Sequence, residues 1–108
     1  MTESEFLGMA EQTLDAIETA FERVSSDDVD VECSRKGNVL EIEFVDDGSK
    51  IIINSQAPMQ EIWVAAKSGG FHYKHSEGEW INTRDGSELF AALSALVSRQ
   101  TGTDVQLA

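Results

Sequence analysis

Carboxylates are the reactive groups this sequence uses most freely, and their spacing is regular. Glu11, Asp15, Glu18 and Glu22 recur at steps of four, three and four, and Asp27, Asp28, Asp30 and Glu32 follow closely. On a helix turning about 100° per residue, the first four fall within about 60° of one another and roughly 130° from the apolar stripe. Like charges at these spacings cost about 0.2–0.5 kcal/mol per pair, and Arg23 is the only base near them within the helix. Clustered oxygen donors attract metal cations or a basic protein patch and repel phosphate backbones and anionic lipid. A solvated helix face is the plain alternative for the first four. For Asp30 and Glu32 it is an edge strand whose charges keep other strands away.

The remaining candidates offer less. Asp28, Asp30 and Glu32 have the odd spacing of an EF-hand loop, but Cys33 stands where that loop requires glycine. No base flanks Cys33 to stabilise a thiolate, so it reads as a small buried hydrophobe. His72 and His75, three apart, point to opposite faces of a strand and make a poor chelate. Gly69-Gly70 lacks the lysine and the following helix of a phosphate loop. Nothing here is catalytic equipment.

Charge is unevenly distributed. The net charge is -12, and residues 1–47 hold fourteen acids against three bases, so the second half is nearly neutral. Nucleic acid and membrane surfaces are disfavoured as partners. No apolar run approaches the roughly 18 residues of a membrane span, and the acidic first residues are unlike a basic leader. A single cysteine excludes an intrachain disulfide and fits a reducing compartment, so a cytoplasmic location is expected. The 108 residues suffice for one domain, 1–108, with its own core.

The elements that position these groups follow from periodicity. Thr2 with Glu5 has capping-box spacing, and Phe6, Ala10, Leu14, Ile17, Phe21 and Val24 form the buried stripe of a helix that Ser25-Ser26-Asp27-Asp28 ends. Strands are predicted at residues 29–34, 39–45, 50–54, 61–66, 71–74 and 80–82, joined by hairpin-length turns. Asp85 with Glu88 predicts a second capping box, Leu89, Phe90, Leu93, Leu96 and Val97 a second buried stripe, and Gly102 the C-cap before a short tail. This order gives an α+β, two-layer α-β sandwich: two helices packed on one face of an antiparallel sheet of about six strands. The other sheet face is open to water. Pro58 closes the third strand, and in the fourth Ile62 and Val64 point inward, leaving Trp63 on the open face without obvious cover. A small domain seldom exposes an indole without a use for it.

Several segments resemble the bacterial members of the frataxin family. They are Ser4-Glu5-Phe6, Gly48-Ser49-Lys50-Ile51-Ile52-Ile53-Asn54, Gln56-x-Pro58, Ile62-Trp63, Lys67-x-Gly69-Gly70 with Phe71, and Glu79-Trp80-Ile81. The match keeps the family's spacing nearly end to end. The resemblance implies a frataxin-like α-β sandwich and a non-enzymatic role in iron–sulfur cluster assembly. It also implies weak iron binding on an acidic ridge, and docking to a cysteine desulfurase and the cluster scaffold protein that modulates sulfur transfer. Asn54, Gln56, Pro58 and Trp63 match the family's sheet-surface recognition motif. Glu11, Asp15, Glu18, Glu22, Asp27, Asp28, Asp30 and Glu32 occupy its acidic ridge, although Thr19 and Arg23 stand where relatives often carry further acids.

Carboxylate oxygens suit ferric iron and are tolerated by ferrous iron, and exposed flexible donors give weak, exchangeable, unselective binding. No organic cofactor is implied. A di-iron oxidase centre would need Glu-x-x-His pairs, and neither helix has a histidine. The expected state is a monomer, with metal-driven oligomers as the alternative. Two other functions fit the same residues: an iron chaperone or store, and an acidic interaction module whose metal binding is incidental.

Overall fold

Thr2 opens the first helix as its spacing predicts. Its hydroxyl accepts from the Glu5 backbone N–H at 3.1 Å, and the Glu5 carboxylate accepts from the Thr2 N–H at 3.0 Å. The structure, a computed structural model, describes residues 1–107. Helix α1 spans Glu3–Val24, and six strands follow: β1 Val31–Lys36, β2 Val39–Phe44, β3 Lys50–Gln56, β4 Glu61–Ala66, β5 Gly69–Ser76 and β6 Glu79–Asn82. A 3-10 turn at Ala57–Met59 links β3 to β4, and α2 spans Leu89–Thr101. The strands pair in chain order, every neighbour antiparallel. Both helices cover one face, as the two amphipathic stripes require.

Several strand ends shift by one or two residues from the sequence reading, and three of the differences have a reason visible in the contacts. Ser26 and Val29 exchange backbone hydrogen bonds at 3.0 and 3.2 Å, which turns the chain and delays β1 to Val31. Gly69 and Gly70 belong to β5 rather than to the turn, which leaves Lys67-Ser68 between the strands. Asp85 is not the helix cap. Its carboxylate accepts from the Ser87 N–H and hydroxyl at 2.9 and 2.7 Å within a turn, and the chain becomes extended at Glu88, which bridges to Ile81. Glu88 is the N-cap, its carboxylate accepting from Phe90 and Ala91. Gly102, at φ 73°, caps the C-terminus as expected.

The core lies between the layers. Phe6, Ala10, Leu14, Ile17 and Phe21 of α1 and Leu89, Leu93 and Val97 of α2 are buried against Leu40, Ile42, Ile51, Ile53, Ile62, Val64, Tyr73 and Trp80. Trp80 stands edge-on to Phe6, ring centroids 5.9 Å apart, and donates its indole N–H to Thr13 at 2.8 Å.

The tail is more than a trailing end. Val105 and Leu107 are 4 % and 2 % exposed, and the Ser98 and Ser94 hydroxyls accept from their backbone N–H groups at 2.9 and 3.0 Å. Arg23 donates to the Leu107 carbonyl at 3.0 Å, so this base holds the tail rather than neutralising the ridge. Among the described residues, no helix is long and apolar enough to cross a membrane.

Candidate docking face and acidic edge

Strand alternation sorts the residues expected to recognise a partner onto the uncovered face. Asn54 of β3 lies directly across from Trp63 of β4, and Gln56 across from Glu61, so these four share one side of the sheet. Pro58 is the second residue of the 3-10 turn beside them, and Gln60 leaves that turn in the left-handed region at φ 51°. Across the next ladder Trp63 pairs with His72 and Glu61 with Lys74. Trp63 is not fully uncovered, as its phase alone suggested. The His72 ring stacks on the indole, centroids 4.4 Å apart and planes within 7°, leaving Trp63 half-buried. The indole N–H donates to the Glu61 carboxylate at 2.8 Å. His75 turns to the helix side and packs edge-on to Trp80 at 5.2 Å, so the two histidines do lie on opposite faces.

The acids divide between two surfaces that meet at the edge strand β1. Glu11, Asp15 and Glu22 are exposed on the outer face of α1, with Glu18 partly shielded. Arg35 reaches them from β1: its Nη1 lies 2.7 Å from Asp15 and 3.8 Å from Glu18. Asp27 and Asp28 are exposed in the bend after α1, and Asp30 is exposed just ahead of β1. Glu32 pairs in register with Glu43 and alternates with Cys33, so it faces the open side, whereas Cys33 and Arg35 face α1. Glu11, Glu22, Asp27, Asp28, Asp30 and Glu32 form no ion pair among the described residues.

The ridge is therefore real on α1, and the strand acids continue it around the edge rather than joining it on one face. Among the described residues no three His, Cys, Asp or Glu side chains converge on a metal-sized site. What the edge supplies is exposed hard oxygen donors without a formed cage. Burial first, then the Glu18 and Glu22 carboxylates, push the Cys33 thiol up to about 11. It stays protonated and unreactive at neutral pH.

Relatives identify this arrangement. The frataxin-like domain family matches residues 1–103. The chain belongs to the frataxin family. The iron–sulfur cluster assembly protein CyaY of Janthinobacterium sp. (strain Marseille) is 68% identical, the alignment covering 99% of this chain and 96% of that protein. CyaY of Herminiimonas arsenicoxydans is 66% identical over the same shares. Among solved structures, a frataxin from Psychromonas ingrahamii superposes with a TM-score of 0.90 at 34% identity, covering 100% of this chain and 99% of that one. Trimeric frataxin from the yeast Saccharomyces cerevisiae, complexed with ferrous iron, superposes at 0.76 with 25% identity, covering 95% of this chain and 88% of that one.

Two contributors to this frataxin-family surface escaped the sequence reading. Arg35 lies outside α1, and only the packing of β1 beside the helix brings it to Asp15. Glu61 carries no pattern beyond strand alternation, yet it is 5 % exposed on the side of the sheet that no helix covers. Its even spacing with Trp63, and Lys74 across the ladder, were the available signals.

Proposed function

We propose that this chain is a non-enzymatic, iron-binding protein of iron–sulfur cluster assembly that modulates a cysteine desulfurase and scaffold complex. The observation that carries the reading is the convergence of Asn54, Gln56 and Trp63 on one uncovered sheet face beside an edge of carboxylates, most of them without an ion-pair partner among the described residues. Three strand spacings separate β1 from β4, about 14 Å at roughly 4.8 Å each. One assembly can touch both surfaces at once. The acidic edge meets a basic patch on the desulfurase, where opposite charge steers encounter. The face around Asn54, Gln56, Pro58 and Trp63 meets the scaffold, with the indole as the anchor such interfaces favour.

Iron binds at the edge through exposed Glu and Asp oxygens, weakly and exchangeably, because no side chains there are held in a coordination shell. The donor chemistry fits ferrous or ferric iron, and the yeast relative solved with ferrous iron supports that metal. The same trimeric relative favours a second reading, an iron carrier that assembles on metal and delivers it.

Trp63→Ala is the test of docking. The variant keeps its melting temperature within about 3 °C, because no helix covers the ring and its loss opens Glu61 to water rather than leaving a core cavity, yet it binds the desulfurase–scaffold complex measurably more weakly by titration calorimetry. A loss of many degrees, or undiminished binding, refutes the docking reading. Desulfurase turnover measured with and without iron separates the two functions, since a carrier alone leaves iron-free turnover unchanged.

A further inference from the structure

A carboxylate on the uncovered side of a sheet ordinarily stays in water. Glu61 does not: its side chain is 6 % exposed, closed in by Trp63, His72 and Lys74. Its Oε1 accepts from the indole N–H at 2.8 Å and lies 3.4 Å from His72 Nδ1, while Oε2 lies 3.8 Å from Lys74 Nζ. Burying a charge is tolerated only where partners replace water, and here every partner belongs to the docking face. The imidazole stacked on the indole completes the enclosure. Two cross-strand pairs, Glu61 with Lys74 and Trp63 with His72, thus form one closed unit.

From this geometry we infer that Glu61 is the positioning residue of the docking face, fixing Trp63 in the single pose in which a partner meets it. The inference rests on the docking reading above and adds to it how the anchor is held. A tryptophan hydrogen-bonded through its N–H and stacked on one side has already lost the rotamer freedom that binding would otherwise remove. Without an acceptor at position 61 the indole swings away from the sheet and loses that advantage. Glutamine keeps an acceptor oxygen in the same place, whereas alanine does not.

The test compares Glu61→Ala with Glu61→Gln in the full-length chain, reading the Trp63 indole N–H by NMR, with Trp63→Phe to assign it. Thermal melting and affinity for the desulfurase–scaffold complex are measured alongside. Glu61→Ala is expected to lose the protected indole signal and to weaken binding about tenfold, the scale of a hydrogen bond to a charged group. Its melting temperature changes little, and Glu61→Gln retains both the signal and the affinity. An indole that stays protected in Glu61→Ala overturns the inference. So does a freed indole with unchanged affinity, or a glutamine variant as weak as alanine. If Trp63→Ala itself binds normally, the docking reading falls and this inference with it, and the indole signal still reports whether Glu61 holds the ring.

Discussion

The two tryptophans occupy opposite sides of one sheet, and the contrast between them separates what folds this protein from what it presents. Each indole N–H is satisfied by a side chain 2.8 Å away, Thr13 for Trp80 and Glu61 for Trp63. Each ring also meets another ring. The difference is in the cover. Above Trp80 lies α1, whose Phe6 closes on the indole, and Thr13 in turn donates to the Met9 carbonyl at 2.8 Å, which ties the contact into the helix. Above Trp63 lies a single imidazole from the neighbouring strand. Hydrogen-bond satisfaction therefore does not tell core from surface here. The number of elements contributing to the enclosure does, and a partner can replace one imidazole far more easily than a helix.

The sharpest way to break that contrast is to truncate the covered indole. Trp80→Ala should cost about 3–5 kcal/mol and lower the melting temperature by roughly 15 °C or more, because the cavity beneath α1 cannot collapse. A small loss, measured by thermal denaturation, would mean the two faces are not energetically distinct. Leu107→Ala comes next, at about 2 kcal/mol and roughly 10 °C, since a buried leucine held by Ser94 and Arg23 closes the helix layer. Trp63→Ala follows with its few degrees at most. If it melted like Trp80→Ala, the open face would belong to the core.

The covered layer was legible in the sequence because it depends on periodicity. The α1 stripe, the inward residues of β2 and β4, and the Thr2 and Gly102 caps all obey local rules that need no knowledge of neighbours. The second helix start was misplaced because the spacing of Asp85 and Glu88 satisfies the capping pattern, while the bridge from Ile81 that holds Glu88 extended is a tertiary event. Val105 and Leu107 were unreadable for a related reason: two apolar residues in a polar tail carry no period, and only Ser94, Ser98 and Arg23 give them a seat.

The open face was half legible. Alternation placed Trp63 there, and the family resemblance added Asn54, Gln56 and Pro58 to it. Glu61 shares that face by its even spacing with Trp63, but the imidazole over the indole and the lysine that help bury the carboxylate depend on strand register, which single-strand patterns do not contain. The acids show the same limit, because the spacing on α1 gave the ridge but not the arginine that arrives from β1.

That arginine makes the smallest and most discriminating prediction, at the edge where the two faces meet. If Glu18 and Glu22 were equivalent members of a repulsive ridge, removing either charge would stabilise the fold equally. They are not equivalent: Glu18 lies 3.8 Å from Arg35, and Glu22 has no ion-pair partner among the described residues. Glu22→Gln relieves repulsion outright and should gain a few tenths of a kcal/mol, about the value of one like-charge helix pair. Glu18→Gln gives up attraction to Arg35 along with the repulsion, so its effect should be nearer zero. Added salt should raise the melting temperature of the parent chain by screening the acids, and that rise should shrink more in Glu22→Gln than in Glu18→Gln. Paired melting curves at low and high ionic strength read both differences. Equal effects would place Arg35 outside the ridge's electrostatics, and the edge would then be uniformly acidic from Glu11 to Glu22.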